Sequence, residues 1–340
     1  MTTIISFATR DCLVLGCDSL ATSIKQMIDP NEIFHHYFDS NDKNLTLKKD
    51  KNGNTILKSF IDFFDFFEQV PYNQLPSVTK IFEIKPANAG FLFAGAAVIG
   101  NKSIKNIVDA FLSEYDISKY LKSTYTVYGI AKRFQEYLSK IYDESYGKSP
   151  VKPTIDILIS GYSKNHSEPE IYSLKYSIND QVKLKAEAKR KEHKIVYGGQ
   201  YDVIQRVVNG LDFNNYLNYL KKINEILNEY YKIIEEQIKN IENINIEPPN
   251  DDLLKQIKAI KPDWIDGISA DMSDFSEQAA IDFVDFLVEI MIKSQQFSNR
   301  LPTVGGNIHI ALLRKSEGFR WISKEEFNYK GSGIKKYERK

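Results

Sequence analysis

Two short apolar runs open the chain, Thr3-Ile4-Ile5-Ser6-Phe7-Ala8 and Cys12-Leu13-Val14-Leu15-Gly16-Cys17-Asp18, separated only by Thr9-Arg10-Asp11. Their strand-forming residues and the short junction predict a β-hairpin with a tight turn. Strand-like runs return at 78–84 and 90–95, at 155–161 and 170–174, and as a closing pair at 308–313 and 319–322. Between them, apolar residues at helical spacing predict helices over 101–121, 126–145, 214–245 and 276–295. Blocks of strands alternating with blocks of helices fit stacked layers better than a doubly wound parallel sheet, so an α+β architecture is expected.

Two segments interrupt this order. Residues 27–77 are rich in Asn, Asp and Lys and carry the turn signal Asn52-Gly53. They also hold Phe60, Phe63, Phe64 and Phe67, whose spacing predicts an inserted helix packed on the body or on a partner. In 214–245 the apolar residues recur with Lys, Glu and Asn between them. That pattern predicts a helix of about 30 residues, with a coiled-coil arm completed near 251–260 as one form it can take. The domain reading is one domain over 1–323, with insertions at 27–77 and about 212–270 and a charged tail at 324–340.

Composition narrows the function classes. Lys plus Arg and Asp plus Glu both number 45, so the net charge of zero gives no argument for nucleic acid or an anionic membrane. Two cysteines, Cys12 and Cys17, exclude a disulfide scaffold, and their odd separation places them on opposite faces of a strand. No apolar run approaches 18 residues and no leader pattern is visible, so a cytoplasmic location without membrane contact is expected. His35, His36, His166, His193 and His309 show no ligand spacing, and no metal or cofactor is expected. Gly198-Gly199 is not a phosphate loop, because no Lys-Ser/Thr follows it.

The chemistry concentrates at the chain start. If Met1 is removed, Thr2 carries a hydroxyl and a free α-amine of ordinary pKa about 7.7–8.0. Nucleophile and base then share one residue. Such a threonine benefits from a nearby cation, a carboxylate to orient that cation, and a backbone N–H for the oxyanion. Asp18, Lys80 and Gly95 are candidates for those roles. Taken singly, each has an ordinary explanation as a terminus, a turn residue, a surface lysine or a strand exit.

The combination resembles the proteasome β-subunit family of N-terminal-nucleophile (Ntn) hydrolases, including the bacterial proteasome-like protease subunits. The likeness rests on Thr2-Thr3-Ile4-Ile5-Ser6, Leu15-Gly16-Cys17-Asp18-Ser19-Leu20-Ala21-Thr22, Val78-Thr79-Lys80-Ile81-Phe82 and Phe93-Ala94-Gly95. Weaker likenesses lie at 157–162, at Tyr197-Gly198-Gly199-Gln200-Tyr201 and at Val304-Gly305-Gly306-Asn307-Ile308. The resemblance implies a four-layer αββα sandwich and a threonine-type amide hydrolase, an endopeptidase by preference. It implies Thr2 as nucleophile and base, Asp18 and Lys80 as the charge pair, and Gly95 as oxyanion donor. Thr22 is implied as the residue whose backbone pairs with an extended peptide or protein substrate. A homo-oligomeric ring and a regulatory or unfolding partner are implied too.

Two positions depart from the family. Its serine in the turn near 198–199 is missing, the residues there being Tyr197 and Gly199. Its acid before the late turn is replaced by Leu301, with Thr303 or Ser298 as candidate substitutes. Alternative readings are therefore a non-catalytic structural or partner-binding subunit, and a small-substrate Ntn amidase.

Overall fold

The structure is a computed structural model and describes residues 2–39, 46–57, 66–75, 77–147, 149, 152–176, 182–210, 213–238, 268, 271–298 and 301–324. The opening hairpin forms as expected. Strands β1 (Thr3–Ala8) and β2 (Leu13–Asp18) pair antiparallel with Ala8 opposite Leu13. The Thr9 N–H donates to the Cys12 carbonyl at 2.9 Å, closing the turn. A second hairpin, β3 (Ala21–Ile28) with β4 (Phe67–Leu75), brackets α1 (Pro30–Tyr37). Pro30 begins that helix, and the Asp29 carboxylate caps it by accepting from the Asn31 N–H at 2.8 Å.

Strands β5 (Ile81–Glu83), β6 (Ala89–Gly95), β7 (Val98–Ile99) and β8 (Lys102–Ser103) follow. Helices α2 (Ile104–Ser113), α3 (Tyr115–Lys122) and α4 (Val127–Tyr146) come next. The expected single helix over 101–121 is thus two. Glu114 breaks it with an extended ψ of 134°. The break has a packing reason: Phe111 and Ile117 are both buried, but six residues on one helix would leave them on different faces. The chain continues through β9 (Ile155–Tyr162), β10 (Pro169–Tyr176), β11 (Lys183–Ala188) and β12 (Lys194–Gly199). It ends with α5 (Asp202–Asn209), α6 (Phe213–Ile238), α7 (Glu277–Gln296), β13 (Ile308–Arg314) and β14 (Gly318–Ser323).

The strands build two five-stranded antiparallel sheets, ordered β12-β1-β2-β13-β14 and β11-β10-β9-β6-β5. Strand alternation divides the buried side chains into three groups. Ile4, Leu13, Leu15 and Cys17 of the first sheet meet Leu92, Ala94, Leu158 and Tyr162 of the second. Ile5, Phe7 and Val14 point the other way, onto Ile204 of α5 and Val284, Leu287 and Met291 of α7. Phe91, Phe93, Ile157 and Ile159 of the second sheet meet Phe111, Ile130, Phe134 and Leu138 of the helices. Phe91 and Phe134 stand 4.5 Å apart between ring centroids. Each such side chain contributes roughly 1.5–3 kcal/mol by leaving water. Cys12 and Cys17 are free and belong to different cores, as their odd spacing requires.

Several expected boundaries change. The third run, placed at 78–84, is a strand only over Ile81–Glu83. Phe67 begins β4 rather than ending a helix, while 60–65 lie outside the described residues. Pro71 sits within β4, beside a register shift at Ser23/Ile24, on a strand paired on one side only. Helix α6 is described over Phe213–Ile238; 239–245, the segment near 251–260 and the tail from 325 lie outside the described residues.

Candidate active site

The head of β1, the end of β2 and the approach to β5 converge on one buried carboxylate. Asp18 is fully buried and accepts four hydrogen bonds. Its Oδ1 receives the Thr3 N–H at 3.0 Å and the Lys80 ammonium at 2.9 Å. Its Oδ2 receives the Gly305 N–H at 3.0 Å and the Leu20 N–H at 3.3 Å. Lys80 is only 5% exposed and also donates to the Leu20 carbonyl at 2.6 Å. The register explains this gathering. Ile308 of β13 lies opposite Asp18, which brings the late turn at 304–307 against the end of β2. The Ser19 and Leu20 N–H groups both donate to the Gly305 carbonyl, and Ser19 Oγ accepts from the Asn307 N–H at 2.7 Å.

Thr2 lies one residue before β1 and is 4% exposed. Its carbonyl accepts from the Gln200 N–H at 2.8 Å, and the Thr3 hydroxyl donates to the Gln200 carbonyl at 2.6 Å. Thr2 is thus tied to Asp18 and Lys80 through the Thr3 amide. Gly199 lies against it. A Cβ at Gly199 would sit 2.0 Å from the Thr2 carbonyl oxygen and 2.8 Å from Ala94 Cβ, and its φ of +74° independently disfavours a side chain. The Gly199 N–H donates to Asp156 Oδ2 at 3.0 Å, across from the other sheet.

Gly95, next to Ala94, ends β6 with a φ of +101°. The expected groups Thr2, Asp18, Lys80 and Gly95 therefore fall around one end of the two sheets. Thr22 lies two residues beyond Leu20, in β3. It pairs with Gln74 of β4, and its hydroxyl donates to the Pro302 carbonyl at 3.2 Å. Leu301 is 52% exposed, while Ser298 Oγ donates to the Gln295 carbonyl at 3.0 Å. Thr303 is buried and donates to Gln200 Oε1 at 2.6 Å. Tyr197 turns to the α5 side, where its ring packs 5.0 Å from Tyr201. Gln200, Gly305 and Asp156 were not among the sequence-derived candidates. The stretches 197–201 and 304–308 pointed to the right turns, but not to these particular contacts.

The electrostatics restrict which groups can react. A carboxylate has about four lone-pair sites, and all four of Asp18's are engaged. Burial pushes the Cys17 thiol far up, with the Lys80 ammonium acting in the opposite direction. Cys17 is therefore held as an unreactive thiol. Among the described residues no group of three or more His, Cys, Asp or Glu side chains is placed to hold a metal ion, and no helix is long and apolar enough to cross a membrane.

No protein-family profile matches this chain, and no curated protein does. Among solved structures it is similar to the Anbu (Gly-1) mutant from Hyphomicrobium sp. strain MC1, at 10% identity and a TM-score of 0.39. That likeness covers 96% of this chain and 89% of the other. It is a distant likeness.

Proposed function

We propose that this chain is an Ntn hydrolase with a four-layer αββα sandwich, related to proteasome-like protease subunits, that cleaves amide bonds through Thr2. The reading is supported above all by the buried Lys80–Asp18 pair, hydrogen-bonded to the Thr3 amide directly behind Thr2. Two antiparallel sheets facing one another, with helices contributing to the core on each outer side, fit the same fold. The reaction requires loss of Met1. Thr2 Oγ1 then attacks the amide carbonyl carbon and passes its proton to the Thr2 α-amine. Negative charge on the carbonyl oxygen is taken by the Gly95 N–H. The C–N bond breaks as the α-ammonium returns the proton to the leaving amine, leaving an ester on Thr2. Water, deprotonated by the same amine, releases the acid. Lys80 supplies positive charge beside the amine and Asp18 fixes Lys80. The backbone at Thr22 is proposed to pair with an extended peptide, and assembly into a homo-oligomeric ring with an unfolding partner belongs to the same reading.

A second reading, a non-catalytic subunit of the same fold, is favoured by one observation: the family's accessory acid is replaced by the exposed Leu301. A single experiment separates them. Protein whose N-terminus is confirmed by mass spectrometry is treated with a β-lactone or an epoxyketone. The catalytic reading expects a covalent adduct on Thr2 that disappears in Thr2→Ala and weakens in Lys80→Ala. Absence of an adduct on Thr2-terminated wild-type protein would falsify it. Profiling peptides against small amides then distinguishes an endopeptidase from an amidase.

A further inference from the structure

The residue after β12 grips both residues at the head of β1. The Gln200 N–H holds the Thr2 carbonyl, and the Gln200 carbonyl holds the Thr3 hydroxyl. Its side chain is fixed in turn from the late turn, where the Thr303 hydroxyl donates to Gln200 Oε1 at 2.6 Å. Thr303 is 5% exposed and is itself anchored to α7, its N–H donating to Gln295 Oε1 at 3.4 Å. The Thr303 hydroxyl also lies 3.4 Å from that same Gln295 oxygen. A hydroxyl carries one proton, and the shorter contact takes it, so Gln200 Oε1 is committed to Thr303. The uncharged side chains of Gln295, Thr303 and Gln200 thus link α7 and the late turn to Gln200, whose main-chain N–H holds the Thr2 carbonyl, in the region where the sequence lacks the serine and acid of the family it resembles.

We propose that Gln200 and Thr303 are positioning residues for Thr2, forming a neutral clamp that replaces those accessory groups. The inference rests on the threonine-nucleophile reading. A strand end held at both the Thr2 carbonyl and the Thr3 hydroxyl fixes the direction in which the Thr2 hydroxyl and α-amine project. Misplacement of a reacting group by about 1 Å costs on the order of a hundredfold in rate. The clamp also adds no charge beside the amine. The charged groups bonded to the surrounding backbone are Asp18, Lys80 and Asp156.

The test uses full-length protein with Thr2 exposed by cleaving an N-terminal ubiquitin fusion. β-Lactone inactivation is separated into kinact and KI, and the pH dependence of Thr2 α-amine acetylation is read by mass spectrometry. Thr303→Val and Gln200→Ala are expected to lower kinact by roughly tenfold to a hundredfold with KI nearly unchanged. Thr303→Ser, which keeps the hydroxyl, restores it. Gln200→Glu places a carboxylate in the clamp and raises the amine's titration midpoint by about half a unit or more. Thermal melting of Thr303→Val against Thr303→Ser identifies any loss due to unfolding. The inference is overturned by wild-type kinact in folded Thr303→Val, by failure of Thr303→Ser to restore it, or by an unmoved titration in Gln200→Glu. If wild-type protein forms no adduct, the threonine-nucleophile reading fails. The amine titration, which needs no catalysis, still decides whether a charge placed at the Gln200 side chain reaches the amine.

Discussion

Replacing Lys80 by Met is the most informative perturbation of this molecule, because it keeps the side-chain volume and removes the one side-chain cation that bonds Asp18 among the described residues. At 2.9 Å the pair's gross attraction is roughly 6 kcal/mol for an effective dielectric of about 20. Most of that is offset by the desolvation of the ammonium, which Met does not incur. The net cost is therefore set by what remains. A fully buried carboxylate loses its cation but keeps the Thr3, Leu20 and Gly305 N–H groups. Breaking a buried pair from one side costs about 3–5 kcal/mol. The three surviving donors place Lys80→Met near the lower end, about 3 kcal/mol. The assay is urea unfolding at pH 7 of Lys80→Met, Asp18→Asn and the double variant. The double variant leaves neither charge of this pair buried, so its loss falls short of the sum by at least about 1.5 kcal/mol. A loss under about 1 kcal/mol for Lys80→Met, or strict additivity, refutes the view that this pair organises the site.

Two further outcomes follow from geometry. Gly199→Ala forces a side chain onto a left-handed backbone, at about 1–2 kcal/mol, and into the Thr2 carbonyl oxygen. It is expected to lose about 2 kcal/mol or more in urea unfolding and to abolish adduct formation at Thr2; a fully reactive Ala variant contradicts the placement of β12 against β1. At the other end of the molecule, Arg314 bonds both Glu277 oxygens, at 2.7 and 2.5 Å, and these bonds hold the Glu277 carboxyl below its ordinary range. With the folded pKa below the unfolded value, the pair stabilises above about pH 4.3 and loses its contribution as pH falls through the folded pKa. Partial exposure limits the effect to under about 1 kcal/mol. The melting temperatures of wild type and Glu277→Gln should therefore differ at pH 7 and converge near pH 3; a gap independent of pH counts against the pair.

The strands most legible in the sequence are those buried on both faces, although the edge strands β5 and β14 were also expected from their apolar and aromatic residues. Runs such as Ile157-Leu158-Ile159 and Leu13-Val14-Leu15 supply apolar side chains to two cores at once. The strands it concealed are also peripheral, but more polar. Lys183–Ala188 is a sheet edge of alternating Lys, Leu, Ala and Glu, and Ala21–Ile28 pairs with β4 alone. Their strand state comes from backbone pairing, which every residue but proline can supply in full, so composition carries little trace of it. The site divides the same way. Asp18 and Lys80 were visible because they pair through charged side chains, which the sequence names directly. Gly305 and Gln200 act on it through main-chain N–H and carbonyl groups, across 287 residues to Asp18 and 197 residues to Thr3. Only folding brings such groups together.

The hydrogen bonds around Asp18 also determine where a base can come from. Four donors occupy its lone pairs, so accepting a nucleophile's proton would break a bond in a site without water exposure, at roughly 1–3 kcal/mol for the group left unsatisfied. Asp18 is accordingly a structural acceptor rather than a proton acceptor. Cys17, the neighbouring thiol, faces the core between the sheets and is held protonated by burial. On the proposed reading the Thr2 hydroxyl therefore needs a base from another source, and the α-amine of Thr2 is the one proposed, on the same residue. While Met1 remains, that nitrogen is part of a peptide bond, whose delocalised lone pair does not take up a proton near neutral pH. Reactivity should thus follow N-terminal trimming rather than folding. Well-folded protein that retains Met1 should form no Thr2 adduct, and the same sample should gain one in proportion to the fraction trimmed. Adducts on Thr2 in Met1-bearing protein would show that the base lies elsewhere.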